Sequence, residues 1–319
     1  MYRIVMVPTD GSEWSRHAIP LALAVARPAN AMVHLVAVAE PLFDASIYGV
    51  PIADTGWTGG VLVGQQVTTG PLVDARKAQE LALQTFASRL AEDAGVPVTA
   101  FLYDGDVVPA LTRHAESRDV DLIAMATHGR GGLGRALLGG VADALVRAAP
   151  CPVLLARPHG ELAHEAGPAS ITHVLVPLDD APESEAVIPH AEAIAVLTGA
   201  RCTLLHASHP EILSGIAAPD ALLDPDALQH LEEAEKARLE RLAESFRARD
   251  VSATTVVLHV KAPVDAIVDY AGSHAVDLIA MTTRAQHGLA RLMRGSTATT
   301  LLHRTKLPML VARADTPPA

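Results

Sequence analysis

Residues 3–41 read RIVMVPTDGSEWSRHAIPLALAVARPANAMVHLVAVAEP, and residues 172–210 read THVLVPLDDAPESEAVIPHAEAIAVLTGARCTLLHASHP. Both stretches hold an apolar run, a turn, a helix-period segment and a second apolar run. Pro8 stands opposite Pro177 and Pro41 opposite Pro210, an offset of 169. The copies also end alike, in DLIAMATHGRGGLGRALLGGVADALVRAAPCPVLLAR from Asp121 and DLIAMTTRAQHGLARLMRGSTATTLLHRTKLPMLVAR from Asp277, at an offset of 156. The drop from 169 to 156 makes the first copy 13 residues longer between Pro41 and Asp121. Such a period exceeds any solenoid repeat, so each copy is a whole domain. The expected domains are 1–157 and 172–315, joined by the polar, Gly- and Pro-containing linker 158–171.

Within each copy, short apolar runs alternate with helix-period segments. Strands are expected at Ile4–Pro8, Val33–Val38, Val98–Tyr103, Asp121–Ala126 and Val153–Ala156, and again at Val174–Pro177, Cys202–Ala207, Thr254–Val260, Asp277–Thr282 and Met309–Ala312. Helices fall between them, including Asp74–Ala94, Val108–Ser117, Asp226–Arg249 and Pro263–His274. In the second copy Asp180, Pro182 and Glu183 read as an N-cap, an early proline and a capping-box acid. The strands are nearly continuous apolar runs, which calls for parallel sheets covered on both faces. The fold class is therefore α/β: two doubly wound domains, each with a five-stranded parallel sheet and helices on both faces. The extra length of the first copy reads as a Gly-rich loop over 42–72, carrying Tyr48 and Trp57.

Composition narrows the function. With 319 residues there is room for two cores, and 50% hydrophobic against 3% aromatic residues makes those cores aliphatic. A formal net charge of −11 argues against a nucleic-acid or membrane-surface binder. Cys151 and Cys202 share no framework spacing and read as small buried residues. The opening MYRIVMVPTDGSE has no basic n-region or long apolar segment, so a cytoplasmic location is expected.

Ligands of an open parallel α/β sheet bind beyond the carboxyl ends of its strands, where strand order reverses. In the first copy Pro8–Ser12, Val38–Pro41 and Thr127–Gly140 converge there. Glycines let backbone N–H groups approach a phosphate, and a helix opening at Gly140 offers unpaired donors at a positive dipole end. Arg130 and Arg135 add positive charge, and Asp10 suits adenine or ribose hydroxyls at the other end. The same glycines also suit tight turns and close helix–sheet packing.

With VPTDGSE after the first strand and THGRGGLGRALLGGVADALVRAAPCPVLLAR at the end, the chain resembles the universal stress protein family in its tandem, two-domain form. The resemblance implies an adenine nucleotide alpha hydrolase-like, Rossmann-like fold. It also implies the phosphate motif G-2x-G-9x-G-(S/T). In the first copy Ala126 replaces the first glycine, Gly129 and Gly139 match the next two, and Gly140 replaces the hydroxyl residue. The expected nucleotide site thus comprises Pro8, Thr9, Asp10, Val38, Ala126, His128, Gly129, Arg130, Gly139, Gly140 and Val141. Its ligand would be ATP or AMP, with or without Mg. Loss of the Ser/Thr hydroxyl removes one hydrogen bond, worth roughly 0.5–1.5 kcal/mol. In the second copy both early glycines are gone, and Lys261 stands where the first has Gly105. Arg284, Arg294, Gly295 and Ser296 remain as a candidate anion site, with Arg291 nearby. Either that half has lost its ligand or it binds a different anion. The resemblance further implies pairing of the two domains through their last strands, and it admits a homodimer.

Other patterns carry less. Gly129, Gly131 and Gly134 spell GxGxxG after the fourth strand, but no acidic residue ends the next strand. His206 and His209 have HxxH spacing after a strand, yet no acidic or cysteine partner is near in sequence, so surface histidines and no metal are expected. No nucleophile stands beside a base, which points to a binding protein, not an enzyme, with slow ATP hydrolysis left open. The two functional readings are a nucleotide-binding stress or regulatory protein and a scaffold that binds none.

Overall fold

A computed structural model describes residues 2–39, 69–127, 139–157, 170–208, 225–283, 300–301 and 304–314. It divides into two compact units, Met1–Ala169 and Ser170–Ala319. The first unit runs β1 (Ile4–Pro8), α1 (Glu13–Arg16), α2 (Ala18–Ala29), β2 (Met32–Ala39), α3 (Thr69–Ala94), β3 (Val98–Asp104), α4 (Val107–Ser117), β4 (Leu122–Ala126), α5 (Gly140–Ala148) and β5 (Val153–Ala156). Its strands are all parallel in the order β3-β2-β1-β4-β5. The second unit holds β6 (His173–Leu178), a 3-10 turn (Pro182–Val187), α6 (Ile188–Thr198), β7 (Arg201–Ser208), α7 (Pro225–Arg247), β8 (Ala253–His259), α8 (Pro263–Ser273), β9 (Leu278–Thr283) and β10 (Met309–Arg313). Its order is β8-β7-β6-β9-β10, again parallel.

Burial follows position in the sheet. Central strands such as IVMVP (β1) and LIAMA (β4) are apolar throughout, as strands covered by helices on both faces must be. The outer β3 and β8 carry Thr, Tyr, Asp and His, and are only partly buried. Cys151 and Cys202 are buried free thiols, both pushed up to about 12 chiefly by desolvation.

Three expectations need correction. The helix expected from Asp74 begins at Thr69, so 69–72 are helical; the remainder of the 42–72 loop lies outside the described residues. Pro71 falls in the first turn of that helix, where a missing N–H costs nothing. The single helix expected after each first strand is instead broken in two. Pro20 would press on the carbonyl of Arg16 in a continuous helix, so α1 stops and α2 restarts after His17. Pro189 does the same in the second unit, where a 3-10 turn precedes α6. Finally, that turn is capped by Ala181 without a side-chain bond, and Asp180 is not its N-cap. Asp179 Oδ1 takes the Ala181 N–H instead, at 3.1 Å.

Among the described residues no helix is long and apolar enough to cross a membrane.

A polar chain is sealed between β2, β3 and α4. His34 Nδ1 lies 3.0 Å from His114 Nε2, and His114 Nδ1 lies 2.8 Å from the Tyr103 hydroxyl. Both rings are buried, with Phe101 against each. Two neutral rings satisfy these contacts with one proton apiece: Tyr103 donates to His114, which donates to His34. Burial is the main cause that lowers both; the neighbouring His34 and Arg118 add to it at His114, which is pushed down to about 4. The unfolded chain takes up protons near pH 6.5 while the folded one refuses them. This stability is therefore complete above about pH 6.5 and lost as pH falls toward 4. Urea unfolding between pH 7.5 and 4.5 should show wild type losing stability more steeply than His114→Gln, by about 3 kcal/mol over that window. Parallel profiles would sink the assignment.

Candidate functional site

In the first unit strand order reverses between β1 and β4, so the crevice lies beyond their carboxyl ends. The turn after β1 forms its floor. Thr9 donates its N–H to Val36 O at 2.8 Å, and its hydroxyl takes the Gly11 N–H at 3.1 Å and meets Ser15 Oγ at 2.9 Å. Asp10 Oδ1 takes the Ser12 N–H at 2.9 Å and the Ser12 hydroxyl at 2.5 Å. Ser12 in turn caps α1 by accepting the Ser15 N–H at 3.2 Å. Pro8, Thr9 and Asp10 are thus held in one hydrogen-bonded turn, with the Asp10 carboxylate aimed by Ser12. Val38 borders the crevice from β2, in register with Tyr103.

Opposite this floor is the mouth of α5. Gly139 donates its N–H to Thr127 O at 2.8 Å, and its carbonyl receives the first helical bond, from Asp143, at 3.0 Å. A Cβ at Gly139 would stand 3.0 Å from the Thr127 carbonyl oxygen, so only glycine lets the helix come this close to β4. The bond occupies the Gly139 amide. The donors left at this end are the N–H groups of Gly140, Val141 and Ala142, which have no partner inside the helix. A Cβ at Gly140 would meet nothing within 4 Å. Ala126 ends β4 in ladder with Ala156, outside the left-handed region, so its methyl imposes no backbone strain. His128, Gly129, Arg130 and Arg135 lie outside the described residues.

The second unit fills the same crevice with side chains. Thr282, at the position of Ala126, donates to Ser184 O at 3.0 Å and accepts the Val187 N–H at 3.1 Å, tying β9 to the 3-10 turn. Arg238 reaches in from α7, donating through Nε (3.1 Å) and Nη2 (2.8 Å) to Glu185 Oε1 and through Nη1 to Asp179 O at 2.9 Å. Gly105 takes φ +105 before α4, whereas its counterpart Lys261 stays out of the left-handed region. Arg284, Arg291, Arg294, Gly295 and Ser296 lie outside the described residues.

The sequence model of the universal stress protein family matches residues 1–157 and 170–313. This chain belongs to that family. A universal stress protein of Methanocaldococcus jannaschii is 28% identical over 158 residues, covering 49% of this chain and 83% of its own length. Another, from Mycobacterium tuberculosis, is 25% identical over 330 aligned positions, covering 99% of this chain and 96% of its own. The tandem arrangement therefore recurs in a relative along its full length. In fold, the chain is similar to the crystal structure of a universal stress protein from Archaeoglobus fulgidus, with TM-score 0.68, 18% identity and 98% of both chains covered.

In this universal stress protein Pro8, Thr9, Asp10, Val38 and Ala126 lie at the carboxyl ends of β1, β2 and β4, and Gly139, Gly140 and Val141 open α5. His206 is buried, against the expectation of a surface histidine, and only 3% exposed. Its acidic neighbours, Asp180 and Glu235, come from other elements. They were invisible as partners because 26 and 29 residues separate them from it in the chain; only the turn after β6 and the middle of α7 bring them there. Gly139→Ala should destabilise the first unit by about 1–3 kcal/mol, since its Cβ meets backbone. Gly140→Ala should leave stability unchanged or raise it by about 0.4–1 kcal/mol. Chemical denaturation of both variants checks the contrast, and equal effects would disprove it.

Proposed function

We propose that the first unit binds an adenine nucleotide, ATP or AMP, and that the protein acts as a cytoplasmic stress-response regulator through binding and not through turnover. The observation that carries this reading is the mouth of α5: braced against β4 through Gly139, and open over Gly140. The N–H groups of Gly140, Val141 and Ala142, which have no partner inside the helix, suit a phosphate tail together with the positive end of the helix. Asp10, aimed by Ser12 across the crevice, suits ribose hydroxyls. Membership of the family supports adenine as the base, and the surviving motif glycines support the phosphate tail. Mg2+ fits as an ion carried by the phosphates, which supply its oxygen ligands. In the second unit Thr282 and Arg238 occupy the equivalent space, so one nucleotide per chain is expected.

A scaffold that binds no nucleotide is the second reading. It is favoured by the Gly139 amide and Asp10 Oδ1 being satisfied within the fold itself. Calorimetric titration with ATP and AMP, with and without Mg2+, separates the two: no heat at millimolar nucleotide supports the scaffold. On the nucleotide reading Asp10→Ala weakens binding, while Gly140→Ser restores the missing hydroxyl in open space and tightens it roughly 2- to 10-fold. Thr282→Ala leaves affinity unchanged. Phosphate release above buffer would replace the binding-only role with slow hydrolysis.

A further inference from the structure

The second unit holds an arrangement that its nucleotide-site counterpart lacks. His206 (β7), Asp180 (the turn after β6) and Glu235 (α7) place one potential ligand atom each within 4.8 Å of one another. His206 Nε2 lies 3.7 Å from Asp180 Oδ1, and Nδ1 lies 3.7 Å from Glu235 Oε2. We propose that these three side chains form a binding site for a transition-metal dication of the Zn2+ class, at the carboxyl ends of β6 and β7.

Three observations point to a cation. First, His206 Nδ1 is 3.2 Å from the Leu178 carbonyl. Donation there leaves the Nε2 lone pair on the ring edge that faces Asp180, with Glu235 Oε2 nearest the other edge; a backbone carbonyl on the far nitrogen is how metal-bound imidazoles are oriented. Second, Glu235 Oε2 is buried and makes no hydrogen bond. Its nearest cation among the described residues, Arg238 Nη1 at 3.7 Å, is beyond hydrogen-bond reach, so a closer cation would satisfy it better. Third, the charges do not balance. Arg238 is committed to Glu185 at 2.8 Å and stands 3.7 Å from Glu235. Among the described residues, one guanidinium beside Asp180, Glu185 and Glu235 leaves two negative charges, the number a dication neutralises. A nitrogen donor beside two carboxylates selects Zn2+ and its neighbours over Mg2+. Metal bonds of about 2.1 Å require donor separations of about 3.5 Å. Asp180, 71% exposed, and Glu235, on the Nδ1 side of the ring, both rotate to reach an ion on Nε2. At the offset of 169 the first copy has Gly11 and Ala37 opposite Asp180 and His206, so the site belongs to the second unit alone.

The test uses the metal-stripped full-length protein titrated calorimetrically with Zn2+ and, separately, Mg2+. The expected result is one tight Zn2+ per chain and no heat from Mg2+ at the same concentration. His206→Ala and Asp180→Asn should each weaken Zn2+ uptake at least tenfold, and Co2+ loading should give a visible ligand-field band that His206→Ala abolishes. If His206→Ala fails to fold, Asp180→Asn, on an exposed residue, still decides. Absence of Zn2+ uptake by wild type overturns the proposal, as does uptake unchanged in both variants, which would place the ion on other histidines.

Discussion

One carboxylate in each unit holds the junction on which the architecture depends. Asp121 accepts the N–H groups of Arg3 (2.7 Å) and Ile4 (2.9 Å), and Asp277 accepts those of Thr172 (2.8 Å) and His173 (3.0 Å). Each fastens the start of the first strand beside the start of the fourth, where strand order reverses. Charge-assisted bonds to backbone amides are among the stronger hydrogen bonds available to a chain. With that end clamped, the loops at the other end diverge over β1 and β4, or over β6 and β9, and a crevice is unavoidable.

The two crevices share a frame and differ in content. Where the first unit has a methyl (Ala126), the second has a hydroxyl (Thr282) that stitches the strand to the turn above it. Where the first has a glycine in the left-handed region (Gly105), the second has Lys261 in an ordinary one. Small residues at Gly11 and Ala37 leave room in one unit, while Asp180 and His206 bring charge to the other. Duplication thus kept the strands, whose apolar runs are constrained by burial on two faces, and released the loop residues, which only a ligand constrains.

Much of this is legible in the sequence. The repeat placed every strand, because a doubly covered parallel strand is a continuous apolar run bounded by turn residues. The VPTDGS turn and the Gly139–Gly140 pair located the crevice, since both follow strand ends. Less legible were the helix breaks: Pro20 and Pro189 each interrupt a helix-period pattern that reads as continuous. Also illegible was the division of labour between the two glycines. Their identities are equal on paper, yet Gly139 spends its amide on Thr127 and only Gly140 faces open space.

The sequence alone determined the two-domain α/β architecture and the family, because hydrophobic period and turn chemistry are local and were written twice. Tertiary structure alone decided which polar groups meet. His206, Asp180 and Glu235 converge, and His34 finds His114, because parallel strands with helical crossovers bring distant positions to the same layer. No local pattern encodes that distance.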